Sequence, residues 1–176
     1  MPTFSSILKP LSGLVFIALC AQITINLPVG ETMIPVTGQT FAVLLVGYLF
    51  GIKWGMVAVV FYVLLGIMGL PIFADGKTGI EVLWGGSGGY LIGFVAGAVI
   101  AGFFSNKKPI LWNALLAMTF GTIAILLFGV GRLIQLYGLE KGLAYGFYPF
   151  WKGAIIKIFL GVITVWFIER IKSVFK

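Results

Sequence analysis

The chain has no histidine, one cysteine and only five acidic residues among its 176. Each shortage excludes something. A His/Cys metal site needs several such ligands, and none can be assembled here. Cys20 alone allows no disulfide framework. Without histidine, and with carboxylates that do not pair within the apolar runs, no nucleophile–base constellation emerges. No enzymatic activity, cofactor or metal is therefore expected. Charge as a whole is scarce: Asp, Glu, Lys and Arg make up 10% of the residues, against about a quarter in a soluble domain. A phosphate loop is also lacking. The stretch Asp75–Gly79, DGKTG, would need glycine at position 71, and that residue is Pro71.

What is present is apolar. Hydrophobic residues make up 60% of the chain, with 25 glycines and 16 phenylalanines. The runs are continuous rather than alternating, which favours membrane helices over a β-barrel. The expected class is an all-α membrane protein of six transmembrane helices in one domain over residues 1–176. The spans read as 11–27, 37–50, 54–70, 88–104, 110–130 and 150–168. The second is short for a crossing of ~20 residues unless the preceding MIPV extends it. Pro28, Pro35, Pro71, Pro109 and Pro149 fall at span edges. The first run is followed by INLPVGETMIP, with no small-residue cleavage pattern, and reads as a retained helix rather than a signal peptide.

The net charge of +7 is distributed in a way that suggests orientation rather than nucleic acid. One set of connecting segments holds Lys9, Lys53, Lys107, Lys108, Arg170, Lys172 and Lys176 against Glu169 alone. The other holds Lys77, Arg132, Lys141 and Lys152 beside Glu31, Asp75, Glu81 and Glu140. Basic segments stay cytoplasmic, so both termini are expected inside a prokaryotic plasma membrane.

Lys157 lies eight residues past Pro149, about 12 Å along the sixth helix. An intramembrane lysine usually faces a protein interior; snorkelling of its stem is the alternative. Arg132 ends the fifth span at a similar level, as a second cation of one cavity or as an interfacial anchor. Two cations in one cavity would select an anion, most simply a carboxylate. Thr37, Gln39 and Thr40 of PVTGQT can hydrogen-bond a small molecule or cap a helix. Trp84, Tyr90 and Trp151 are pocket walls or interfacial belt residues. Gly85, Gly88 and Gly89, with Ser87 between them, would let the backbone approach a ligand. Lys77 is a candidate beside them, with simple solvent exposure the alternative.

The segments MIPVTGQTFAVLLVGYLFG, YVLLGIMGLPIFADG, GGSGGYLIGFVAGA and GFYPFWKGAIIK occur in this order. They closely resemble the biotin-specific substrate-binding subunits of energy-coupling-factor transporters, the BioY type, over about residues 14–165. The resemblance implies a six-helix subunit that captures a vitamin outside and topples to release it inside. It also implies a transmembrane coupling subunit and two cytoplasmic ATPases as partners. Gly13, Ala18 and Ala21 on the first helix would form a flat contact for the coupling subunit. The chain departs from the family pattern in three places. Pro-Gly-Asp followed by Lys becomes Lys152, Gly153 and Ala154 followed by Lys157; an aromatic becomes Arg132; and GPTGGY becomes GGSGGY. Biotin carries a carboxylate and two ring N–H donors. Loss of an acceptor at Ala154 therefore keeps lipoate or a related small acid open beside biotin. Rival readings are a ligand-free structural membrane protein and an autonomous carrier, the latter disfavoured by the lack of a membrane-embedded carboxylate.

Overall fold

The computed structural model describes residues 4–29 and 32–175; Glu31 and Lys176, which entered the orientation argument, lie outside them. The described residues form seven α-helices and one β-hairpin: α1 (Phe4–Ala21), β1 (Thr24–Val29), β2 (Thr32–Thr37), α2 (Gln39–Ile67), α3 (Ile80–Trp84), α4 (Gly88–Phe103), α5 (Ile110–Tyr137), α6 (Leu139–Gly146) and α7 (Trp151–Val174).

Residues 22–27, expected as the end of the first helix, instead turn into β1. The segment Ile23–Val29 is rich in β-branched residues and carries Pro28, so it prefers extended backbone. It pairs antiparallel with β2, from Thr24 opposite Thr37 to Val29 opposite Thr32. Pro28 and Pro35 are tolerated because a two-stranded ribbon has only edges.

The second and third expected spans are the two arms of α2, separated at Gly51 (φ 74°, ψ 177°). That backbone conformation is open to glycine and strained for other residues. The arms fold back on each other. A Cβ built on Gly55 would lie 2.7 Å from the Gly47 Cα, whereas a straight helix would separate residues eight apart by about 12 Å. Gly47 also meets α4, where its Cβ would come within 2.6 Å of the Ala98 carbonyl oxygen. Two backbones thus cross at one glycine, the arrangement small residues permit in apolar bundles.

α4 packs between α2 and α5, and α1 packs along α2. Ile17, Val43, Leu44, Tyr62, Met118, Ile125 and Val165 are nearly fully buried between them. α7 is peripheral, burying only Ala154, Gly161 and Val165. The outer faces stay apolar: Leu11, Val15 and Leu19 of α1 and Ile156, Phe159 and Ile163 of α7 are exposed. Exposed apolar area on this scale is costly in water and natural in lipid. Among the described residues, α2 taken over its whole length and α5 are long and apolar enough to cross a membrane on length and composition alone.

Gly13 and Ala21 do not form an outer contact face. Both are buried, and a Cβ on Gly13 would lie 2.9 Å from Val46 and 3.0 Å from Ala58. Their small size is used to bring α1 close to α2. Ala18 is partly buried against the same core.

Candidate functional site

The bundle encloses a cavity of about 480 Å³. The hairpin and the α2–α3 loop line one end through Met33, Ile34, Pro35, Phe73, Ala74 and Lys77. α5 lines its length with Thr122, Ile125, Leu126, Leu133 and Tyr137. These recur at three- and four-residue helical spacings on one face, and they extend about 22 Å along the axis. Tyr90, Leu91 and Phe94 of α4, Tyr145 of α6, and Phe150, Ala154 and Lys157 complete the walls. No acidic side chain among the described residues lines it.

Of the residues expected from the sequence, Thr37, Gln39, Thr40, Lys77, Ser87, Tyr90, Ala154 and Lys157 come together here. Ala154 and Lys157 share a face of α7, three residues apart. Lys157 makes no ion pair among the described residues. Lys77, by contrast, lies 3.8 Å from Asp75 and is half exposed. A cation with no ion-pair partner among the described residues, in a largely apolar enclosure, is held at a cost that an oxygen-bearing guest can relieve.

Gln39 is largely committed to the protein. Its Oε1 accepts from the Thr37 hydroxyl at 2.8 Å. Its Nε2 donates to the Tyr62 hydroxyl at 2.6 Å, and Tyr62 donates to the Ile72 carbonyl at 3.0 Å. One amide hydrogen and one lone pair of Gln39 remain. The chain of bonds ties the cavity wall to the α2–α3 loop, which Thr78 also pins by donating to the Gly66 carbonyl at 2.9 Å. Tyr90 is set similarly: its hydroxyl donates to the Gly146 carbonyl at 2.8 Å and its ring lies 5.4 Å from that of Phe150.

The remaining expected residues fall outside the lining. Arg132 turns away and donates to the backbone carbonyl of Trp84, fastening α3 to α5. The cavity therefore does not hold Lys157 and Arg132 as a cation pair. Trp84 is 68% exposed and Trp151 41%, the position of interfacial belt residues. Gly88 and Gly89 are buried, Gly89 against the Phe128 carbonyl and Arg132, so they allow helix contact rather than ligand approach. Gly85 closes α3, and Gly86 is the member of that glycine group that lines the cavity. The sequence reading missed the hairpin residues, Phe94, Thr122 and Tyr145. The helical spacing of Thr122 with Ile125 and Leu126 was the available signal for the α5 face.

An apolar bundle with apolar outer surfaces and an elongated cavity whose cation has no ion-pair partner among the described residues defines a membrane protein built to hold a small organic molecule. Its relatives agree in kind. The biotin transporter BioY of Thermotoga maritima is 37% identical over 149 residues, 84% of this chain and 87% of that protein. The probable biotin transporter BioY of Pyrococcus horikoshii is 33% identical over 140 residues, 80% and 82% of the two chains. The chain belongs to the BioY family, whose sequence profile matches residues 3–173. It shares its fold with the crystallised S-component for biotin from an ECF-type ABC transporter, at a TM-score of 0.82 and 23% identity over 94% of this chain and 91% of that one.

Proposed function

We propose that this chain is the substrate-binding subunit of an energy-coupling-factor transporter and that its substrate is biotin. The observation that carries the reading is the shape of the cavity: about 22 Å of largely apolar lining along α5, with Lys157 half-buried at one level and Lys77 on the wall at the hairpin end. An elongated acid with a polar ring at its other end matches that order. The site residues we assign are Thr37, Gln39, Thr40, Lys77, Ser87, Tyr90, Ala154 and Lys157.

Lipoate is the second reading, favoured by one specific feature. Ala154 presents a methyl group to the cavity where a carboxylate could accept ring N–H bonds. Unpaired ring donors would cost about 1–3 kcal/mol. That is enough to weaken biotin binding and too little to exclude it, since Gln39 and other lining oxygens retain acceptor capacity.

The six long helical segments are taken to cross the membrane, counting the two arms of α2 separately, with both termini cytoplasmic. The basic end supports this: Lys53 and Lys107 flank the junction where Gly102 of α4 meets Ile52, and Arg170 and Lys172 lie in the last turns of α7. The partners taken to supply the energy are a transmembrane coupling subunit and two cytoplasmic ATPases. Uptake of labelled biotin by cells is expected only when the chain is expressed together with such a module. Equal, concentrative uptake in cells lacking every coupling ATPase would contradict the subunit reading and support an autonomous carrier.

A further inference from the structure

Thr122 is 4% exposed, lines the cavity, and makes no hydrogen bond with any described residue. That is unusual for a helical threonine, whose hydroxyl commonly returns to the carbonyl four residues back. Thr164 does so in this chain, donating to Leu160 at 2.7 Å. The Thr122 oxygen is not sealed off, since among the described residues the Ser105 hydroxyl alone is buried without a partner; the Thr122 hydroxyl opens into the cavity with its bonding capacity free, and it calls for a partner.

Its level in the bundle supplies one. α5 and α7 pack together, and Gly161 of α7 sits on Met118 of α5, where an added Cβ would lie 2.7 Å from the sulfur. Beyond that contact the cavity is lined by later residues of α5 and earlier residues of α7, so the two helices run antiparallel. Four residues further on each helix come Thr122 and Lys157. The two polar groups face one cavity from neighbouring helices at the same depth. Helix axes packed about 8–10 Å apart leave room for one planar polar group between such side chains.

We propose that Thr122 is a substrate-binding residue that acts with Lys157 on the same end group of the substrate, and so determines specificity. Lysine offers only donors, whereas a hydroxyl offers one donor and two acceptor sites. Together they suit an end group built on an sp² oxygen. In biotin this is either the carboxylate, accepting from both, or the cyclic urea, whose oxygen accepts from Lys157 while a ring N–H donates to Thr122. The inference rests on the biotin reading above. It adds a second polar contact at the depth where Ala154 provides none.

The test is calorimetric titration of the purified full chain, wild type, Thr122→Val and Thr122→Ser, with biotin and with biotin methyl ester. Valine keeps the shape and deletes the hydroxyl. Thr122→Val is expected to bind biotin roughly ten- to a hundredfold more weakly, with Thr122→Ser within about threefold of wild type. The ligand-free valine variant should melt no lower than wild type, because the hydroxyl it loses is unpaired; a merely structural threonine would lower the melting temperature without this affinity loss. If the loss disappears with the methyl ester, the shared end group is the carboxylate; if it persists, it is the urea. Biotin affinity of Thr122→Val within twofold of wild type overturns the assignment. A wild-type chain that binds no biotin overturns the substrate reading and this assignment with it, an outcome separate from wild-type binding that the valine leaves untouched.

Discussion

Lys157→Ala is expected to weaken biotin binding by about a hundredfold. A hydrogen bond to a charged group contributes about 1.5–3 kcal/mol, and tenfold in affinity corresponds to about 1.4 kcal/mol. Lys157 lines an enclosure with no acidic side chain and has no ion-pair partner among the described residues. Its hydrogen-bonding capacity is therefore available to a guest. Truncation should cost the ligand-free protein little stability, since it removes a poorly solvated charge without leaving an opposite charge behind. Titration calorimetry with a parallel thermal melt measures both. Arg132→Ala is the control: Arg132 is engaged with the Trp84 carbonyl outside the cavity lining, so biotin affinity should stay within about threefold. Wild-type affinity in Lys157→Ala would mean that the lysine only snorkels.

Gly47→Val is expected to prevent folding outright. Its Cβ would lie 2.6 Å from the Ala98 carbonyl oxygen and 2.8 Å from the Ala98 Cα, while Gly55 approaches the Gly47 Cα from the other arm of α2. All these neighbours are backbone or bare glycine, so no rotamer change can make room. Overpacking a side chain that can shift costs about 1–3 kcal/mol; separating two helix backbones forfeits the packing of α2 against α4 as well. Because α2 carries Gln39 and Thr40 into the cavity and holds the α2–α3 loop through Tyr62, the site would be lost with the fold. Size-exclusion chromatography of the detergent-extracted variant should show aggregate or no protein. A monodisperse variant that binds biotin like wild type would contradict the described α2–α4 crossing.

Much of this architecture could be read from the residues because membrane solvation is a blunt constraint. Scarce charge and continuous apolar runs leave helices as the structure that satisfies the backbone, and the boundaries of α4 and the start of α5 followed directly. Hydropathy could not distinguish a strand from a helix end over Ile23–Val29. That segment is as apolar as the helix before it, and its β-branching and its pairing with Met33–Thr37 decide the matter. Lys157 was identifiable because a cation within a span needs a polar environment. Arg132 was not separable from it, since sequence gives depth along a helix but not which neighbour the side chain meets. Thr122 was hidden for the opposite reason: threonine in an apolar helix ordinarily bonds its own backbone, so its type alone carries no signal. Gly13 and Ala21 show the limit for small residues, which permit a close approach without naming the helix that makes it.

The most direct measurement of the central claim is the affinity of the purified chain, without partner subunits, for biotin and for lipoate side by side. Biotin is expected to bind at least about a hundredfold more tightly than lipoate, a difference of roughly 2.7 kcal/mol. Tight lipoate binding with no detectable biotin binding would contradict biotin as the substrate and would make Ala154 the residue that changed it.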